Sequence, residues 1–566
     1  MKRIGVLNFT RMGDLIQCGP LLDGLRQQES ESELTLIVLE NFAETAQRLP
    51  MVDEVITFPL DRFIPHLDAQ RISLTDLYAG LSDFVALLKD RRFDRFYNLA
   101  HSRLSAAMTW LLHAPDTHGL TYDETGHLLI THPWINYYYY VTLNRTWNPF
   151  NLVEMYLPIS PVAPQQPSLT FRVLSGDEEK AESLLSSRRR ENDPLIAFQM
   201  GAAEERRRWP VTAFAELAKQ LISSCNAQIV LLGNAEEKEL SRAFVQIVDA
   251  DRTLDLIGKT TVGTLAAVLK QCQVLVSNDT GTIHLAAATK TPTVGVFLGP
   301  AAVKDTGPYG DGHLLLEAHL PCAPCSYHAT CSHCVCHEAI RPSDVMAAVA
   351  CQLKKRSLGS RSWDWSRLHI HRTQVSPDGQ LRLLPLMRVP LERETLMYSL
   401  YRVFWPLLLR DRKVASIPAG PLWTSEMTFL NEFYELCDSS ALLTYEDEEA
   451  IASYENLASR VEPIVKTLSR ELRTSQPSVS RLREMTLDLA HCDTALAEME
   501  EKFPTWAPLA QFVRVLRGNV PDESPAGLAA ACEDVYGTLI RGSKLLKSLW
   551  NEVTAKRAEA REVLHA

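Results

Sequence analysis

The sequence predicts an α/β protein made of two successive open sheets, followed by a mainly helical extension. Three observations carry that reading. Short apolar runs alternate with amphipathic stretches through roughly the first 350 residues, a proline-rich segment interrupts the alternation near residue 160, and glycine is absent from Leu422 to Arg517 while helix formers dominate. The chain has 566 residues, too many for one hydrophobic core, so several domains are expected.

In order, Ile4–Phe9 is an apolar run that ends in the loop Thr-Arg-Met-Gly-Asp. Leu15, Ile16, Leu21, Leu22 and Leu25 then recur at helical spacing, giving strand, loop, helix. Leu34–Leu39, Val55–Phe58 and Phe96–Leu99 read as further strands, the last ending near His101 and Arg103, with a helical pattern over Leu77–Leu88. This alternation predicts a mostly parallel sheet with helices on both faces, assigned to residues 1–160. The segment Pro158–Pro167, PISPVAPQQP, reads as an extended linker. The pattern restarts in a second domain, residues 161–356, with strands at Leu195–Gln199, Ile229–Leu232, Val274–Ser277 and Thr293–Phe297 and helices at Val211–Leu221 and Ala235–Val248. Two open sheets joined in this way leave a cleft at the carboxyl ends of their strands, the usual place for a ligand. Residues 357–390 form a connector in which Leu368–Val375 and Leu381–Leu384 flank Ser-Pro-Asp-Gly-Gln, a β-hairpin signal. Residues 391–566 form a helical domain, as in Leu482–Lys502.

Composition narrows the function classes. Apolar residues make up 46% and charged residues 22%, and 58 basic against 69 acidic groups leave a net charge of −11, which argues against a nucleic-acid binder. The amino-terminal apolar run is cut by Arg11 and Asp14 and has no signal-peptide pattern, and no run reaches the roughly 18 apolar residues of a membrane span. A cytoplasmic location with at most peripheral membrane contact is expected, and the 12 cysteines are expected to be reduced or metal-bound.

Four segments can carry chemistry. In Arg11-Met12-Gly13-Asp14, Gly13 permits a close backbone turn and Asp14 is delivered to the cleft side of the sheet, as a general base or as the cap of the following helix. In Ser277-Asn278-Asp279-Thr280-Gly281-Thr282-Ile283-His284, a glycine and short hydroxyl side chains at a helix start offer N–H groups to a diphosphate. Asp279 there orients the loop or accepts from a ligand hydroxyl, and His284 donates to an anion or serves packing. Arg206, Arg207 and Arg208, ahead of Trp209-Pro210, offer fixed charge to a phosphate or form a solvated run, and Glu236 of Gly-Asn-Ala-Glu takes ribose hydroxyls or favours its helix start. Finally, Cys322, Cys325, Cys331, Cys334 and Cys336 fall within 15 residues. Their spacing points to a structural tetrahedral metal site, zinc or iron, with Cys322, Cys325, Cys331 and Cys336 as ligands, Cys334 as rival fourth, and His328, His333 and His337 as substitutes.

The segments RMGDLIQCGPLLDGLR, RRRWPVTAFAELAKQL, GNAE and SNDTGTIHLAAATKTPTVGVFLGP resemble glycosyltransferase family 9, the ADP-heptose:lipopolysaccharide heptosyltransferases, over about Met1–Leu353. The resemblance implies a GT-B architecture, two Rossmann-like domains facing a cleft with the nucleotide-sugar held mainly by the second, and an inverting transfer without a catalytic metal. It makes Asp14 the catalytic base. Gly13, Asp279, Thr280, Gly281 and His284 fall to the donor, Arg207 or Arg208 to its diphosphate or sugar, and Glu236, with Glu237 an equal rival by register, to the ribose. The cysteine cluster is similar to that of the autotransporter heptosyltransferases, which bind iron and act on protein. The expected activity is therefore heptosyl transfer to a lipopolysaccharide-type or other envelope acceptor. Two alternatives stand beside it: a protein O-heptosyltransferase whose helical extension docks polypeptide or makes an oligomer, and a non-catalytic nucleotide-sugar-binding scaffold.

Overall fold

The structure is a computed structural model that describes residues 1–63, 74–186, 189–190, 192–327, 329–354, 364–410, 419–435, 442–474, 476–520 and 524–565. The boundary expected at residue 356 and the candidate ligand His328 lie outside the described residues. The chain divides into two compact units, Met1–Asp94 with Phe150–Met387 and Arg95–Pro149 with Arg388–Ala566.

The first unit opens with β1 (Arg3–Leu7), β2 (Glu33–Leu39) and β3 (Glu54–Phe58), parallel in the order β3-β2-β1. The loop after β1 leads into the helix Met12–Gln17 and then Gly19–Gln28. The strands β4 (Arg95–Asn98), β5 (Asp116–Tyr122) and β6 (Leu128–Ile130) belong to the second unit. The proline-rich segment packs within the first unit: a Cβ on Gly24 would stand 2.5 Å from the Val162 carbonyl oxygen and 2.7 Å from Ser160 Oγ.

A larger sheet follows, with β7 (Leu195–Gln199), β8 (Gln228–Leu232), β9 (Thr253–Asp255), β10 (Val274–Asn278), β11 (Thr293–Phe297) and β12 (Leu314–Ala318) all parallel, in the order β12-β11-β10-β7-β8-β9. Read from the other edge, that is the doubly wound 3-2-1-4-5-6 order, whose reversal falls between β7 and β10. Every residue of β7, β8, β10 and β11 is buried, because helices cover both faces, and strands of that kind must be apolar throughout. On one face Phe198, Phe214, Leu217, Val276, Val345 and Val349 share a core. On the other, Leu185, Leu195, Leu269, Leu275 and Leu285 share one that also takes in Ile16 from the helix after β1. Each such side chain contributes roughly 1.5–3 kcal/mol by leaving water. The hairpin β13 (Leu368–Val375) and β14 (Leu381–Pro385) is added antiparallel beside β12. Its turn closes through Gly379 N to Ser376 O at 2.8 Å, with Gly379 at φ +83°, where a side chain would be strained.

In the second unit β4 and β5 pair parallel and β5 and β6 antiparallel. Helices Arg393–Leu409, Tyr445–Leu472, Val479–Lys502, Ala507–Gly518 and Pro525–His565 supply the helical extension, and they share a core with the segment 95–149. Tyr137 and Tyr140 of the helix Pro133–Leu143 meet Trp405 at ring distances of 4.7 and 5.7 Å, and Phe512 meets Trp405 at 5.2 Å. The two β residues β15 (Val389–Pro390) and β16 (Tyr434–Glu435) pair in the same unit. Among the described residues no helix is long and apolar enough to cross a membrane. The predicted class, α/β sheets followed by a helical extension, is the observed one.

Candidate active site

The reversal between β7 and β10 separates the loops that leave their carboxyl ends and opens a crevice there. Asn278, buried at the end of β10, ties both sides of it: its amide donates to Met200 O at 2.6 Å, and its oxygen accepts from Trp209 N at 3.0 Å. Trp209 is itself buried and donates from Nε1 to Ile340 O, so the Trp-Pro step anchors the arginine loop to the domain.

Thr280 precedes the helix Gly281–Ala288 in extended conformation, and its side chain makes no capping hydrogen bond. The first N–H groups of that helix are therefore left without a side-chain cap, at the positive end of the peptide dipoles. From Thr282 to Ala288 every residue of the helix is buried, because it is enclosed between β10 and the helix Met12–Gln17. That contact depends on glycine: a Cβ on Gly13 would lie 2.8 Å from His284 Cδ2 and 3.2 Å from Gly281 Cα. The contact brings Asp14, half-buried, into the same region. One Asp14 oxygen accepts from Arg11 N at 3.3 Å, so the carboxylate serves its own helix start. Burial pushes its pKa up, Arg11 opposes that, and the charge of Asp279 adds to the rise.

His284 is buried and its Nε2 lies 3.3 Å from the Gln17 amide nitrogen, which also donates to Gly13 O. Burial lowers its pKa to about 4, so the ring is neutral, and Nδ1 is buried without a partner among the described residues.

The three arginines have separate roles. Arg207 donates from Nη2 to Asp279 O at 2.7 Å and to Oδ2 at 2.6 Å, in a pair whose side chains are 12% and 4% exposed. Thr306 also donates to that carboxylate, and Arg207 Nε is buried without a partner. Arg208 donates to Ala202 O at 2.8 Å. Arg206, neither free in solvent nor turned to the helix start, grips the cysteine loop by donating to the carbonyls of Ser326, Tyr327 and Ala329.

Glu236 and Glu237 part company in the turn Ala235–Glu237. Glu236 is exposed. The Glu237 carboxylate accepts from Gln199 Nε2 at 3.1 Å and Asn234 N at 3.0 Å, and fills the space a side chain on Gly201 or Gly233 would take. The acid at the mouth of β7 is therefore Glu237.

In the cysteine loop Cys336 is buried, Cys325 and Cys334 are half-buried, and Cys322 and Cys331 are exposed; none of these five is in a disulfide. Burial pushes the thiols of Cys325, Cys334 and Cys336 up, and Cys331 raises each of them further, while the backbone N–H groups of Cys334 and His333 pull Cys331 down. His333 Nδ1 lies 3.7 Å from Cys331 Sγ, whereas His337 Nε2 is directed at Arg206 O, 3.0 Å away. Among the described residues no three of these sulfurs, alone or with a neighbouring histidine, lie within 4.8 Å of one another, so the loop does not present the formed ligand set that its cysteine spacing led us to expect for zinc or iron.

Residues 83–335 match the sequence profile described as glycosyltransferase family 9 (heptosyltransferase). Lipopolysaccharide heptosyltransferase 2 of Salmonella typhimurium is 26% identical over 322 residues, 54% of this chain and 85% of that one. Lipooligosaccharide heptosyltransferase 2 of Campylobacter jejuni is 30% identical over 175 residues, 30% of this chain and 54% of that one. Among solved structures, the E. coli ADP-heptose lps heptosyltransferase II aligns with a TM-score of 0.48 at 21% identity, covering 63% of this chain and 99% of that one. By its profile match over residues 83–335 and its curated relatives, the chain is a heptosyltransferase-like glycosyltransferase, similar to family 9.

Proposed function

We propose that this enzyme moves a heptose from ADP-heptose onto a lipopolysaccharide-type acceptor in a single inverting displacement, in the cytoplasm and in at most peripheral contact with the inner membrane. The observation that carries the reading is the approach of Asp14 to the uncapped start of Gly281–Ala288, made possible by the Gly13–Gly281 contact. The names of the curated relatives support the sugar and the acceptor class.

In this mechanism the acceptor hydroxyl oxygen attacks the anomeric carbon while Asp14 takes its proton. The bond from that carbon to the diphosphate oxygen breaks, and the electron pair leaves with ADP. One displacement inverts the configuration at that carbon. The negative charge building on the leaving group is met by the helix-start N–H groups and by Arg207, which Asp279 holds in place, with Arg208 alongside. A raised pKa suits Asp14 to this work, since a base closer to neutrality accepts a proton more readily. The Glu237 carboxylate accepts from the ribose hydroxyls. A zinc or iron ion held by Cys322, Cys325 and Cys331, with Cys336 or Cys334 as fourth ligand, would pin the loop that Arg206 grips and would have to draw those sulfurs together.

The test is Asp14→Asn, assayed with ADP-heptose and a heptose-deficient lipopolysaccharide. Donor affinity is expected within about threefold of the parent while transfer falls about 10²–10⁴-fold. Transfer within tenfold of the parent would remove Asp14 from the base role. A polypeptide acceptor and GDP-, UDP- and dTDP-sugars, run alongside, decide the acceptor and the donor.

A further inference from the structure

The seam between β12 and β13 carries a group of side chains that the transfer reaction does not use. Glu317 on β12 pairs directly with His369 on β13, and His371 lies two residues further along β13, so all three project from one face of the sheet. Their ligand atoms lie within 4.8 Å of one another. His371 Nε2 is 3.2 Å from Glu317 Oε1, and the two side chains are only 12% and 22% exposed. Ligands about 2.0–2.1 Å from a tetrahedral zinc stand roughly 3.3 Å apart. This pair already has the spacing of two ligands on one ion.

A second, independent observation points the same way. His369 Nε2 is buried without a hydrogen-bond partner among the described residues. Buried polar atoms are nearly always served, so an unserved imidazole nitrogen beside a carboxylate requires an explanation. A cation supplies one, and two imidazoles with one carboxylate are a donor set for zinc and its first-row neighbours.

We propose that Glu317, His369 and His371 bind one divalent transition-metal ion of the zinc class, separate from the cysteine loop and from the donor crevice. The ion bridges β12, the last parallel strand, to β13, the first strand of the antiparallel hairpin. It therefore clips the hairpin to the sheet edge, beside the strand ladder and the hydrogen bonds that Tyr309 donates to Gly379 O and Asp311 accepts from Val375 N.

The experiment uses the full-length protein, freed of metal by a chelator and titrated with Co²⁺, a spectroscopic stand-in for zinc, with and without prior alkylation of the thiols. After alkylation one equivalent is expected to bind, with visible d–d bands but without thiolate-to-cobalt charge transfer, and to be displaced by Zn²⁺. In the double variant His369→Gln/His371→Gln that equivalent should be lost or bound at least tenfold more weakly, and the unmodified variant should hold one zinc fewer per chain than the unmodified parent. Metal-free parent and metal-free variant should unfold at similar temperatures, which separates loss of a ligand set from loss of the fold. An alkylated parent that keeps its native circular dichroism yet takes up no cobalt overturns the proposal. So does a folded variant that binds cobalt as the parent does. In either case the 3.2 Å contact is an ordinary His371-to-Glu317 hydrogen bond. Should the variant fail to fold, the alkylated parent alone decides.

Discussion

Gly13 and Gly281 meet backbone to backbone: a Cβ on Gly13 would lie 3.2 Å from Gly281 Cα, and one on Gly281 would lie 3.3 Å from Gly13 N. The two positions are not equivalent. A methyl on Gly13 also meets the buried ring of His284 at 2.8 Å, while a methyl on Gly281 meets mainly the end of Met12, at 2.6 Å from its Cε, and that flexible side chain can turn away. Gly13→Ala is therefore expected to destabilise by about 1–3 kcal/mol through overpacking, and to lower transfer by displacing Asp14. Gly281→Ala should cost less than half as much. Thermal unfolding of the two variants, with kcat measured on each, checks the order; equal costs would show that the contact yields freely.

Glu237 and Glu236 differ by one position and by everything they touch. Glu237 is held between Gln199 and Asn234 at the mouth of β7, and Glu236 faces solvent. Glu237→Gln is expected to weaken donor binding about tenfold or more, the scale of one charged hydrogen bond of about 1.5–3 kcal/mol. Glu236→Gln should leave it within twofold. Calorimetric titration with ADP-heptose separates the two, and a reversed order would move the ribose to the other acid.

Much of the fold was legible because buried parallel strands carry an unmistakable apolar signature: Leu195–Gln199 and Thr293–Phe297 were bounded to the residue. Asp14 and the Asp279–His284 segment were legible as positions, since each follows a strand and opens a helix. The division of labour among Arg206, Arg207 and Arg208 was not, because their partners Ser326, Tyr327, Ala329, Asp279 and Ala202 are set by tertiary structure. Nor does one residue of register tell Glu236 from Glu237, since neighbours in a tight turn point in different directions. The proline-rich segment reads as an extended linker, yet its backbone packs on Gly24, a contact that leaves no periodic trace. The same holds for Tyr137 and Trp405, which meet across more than 250 residues of chain.

That last contact bears on the helical extension. Trp405 is buried among Tyr137, Tyr140 and Phe512, and Tyr140 also reaches Gln511. Truncation after Met387 would strip the aromatic partners from residues 95–149, so it is expected to yield an aggregating or dye-binding protein that transfers to no acceptor. Removal of the extension therefore cannot report on acceptor choice. Trp405→Ala alone should cost about 3–5 kcal/mol, measured by chemical denaturation. A soluble, cooperatively folding truncation would show that the segment is stable without its helices.

His284 and His313 set a pH dependence of stability whose sign is fixed. Burial holds both imidazoles down at about 4 in the folded chain, whereas an unfolded histidine takes its proton near pH 6.5. Below about pH 6.5 the unfolded chain binds protons that the folded chain refuses, so stability falls as pH drops from about 6.5 to about 4, and above that window the two groups are without effect. Each contributes a slope of roughly 1.4 kcal/mol per pH unit at most. Asp14, whose pKa is raised, acts in the opposite direction at the acid end, since its protonation favours the folded chain. The difference between variants is therefore more telling than the total curve. His284→Gln is expected to flatten the fall in unfolding free energy between pH 6.5 and pH 5 by about 1 kcal/mol per pH unit, and the kcat profile of the parent should show no inflection near 6.5 from this residue. Parallel slopes for parent and variant would mean that the His284 ring takes its proton in the folded chain as readily as in the unfolded one, against the effect of its burial.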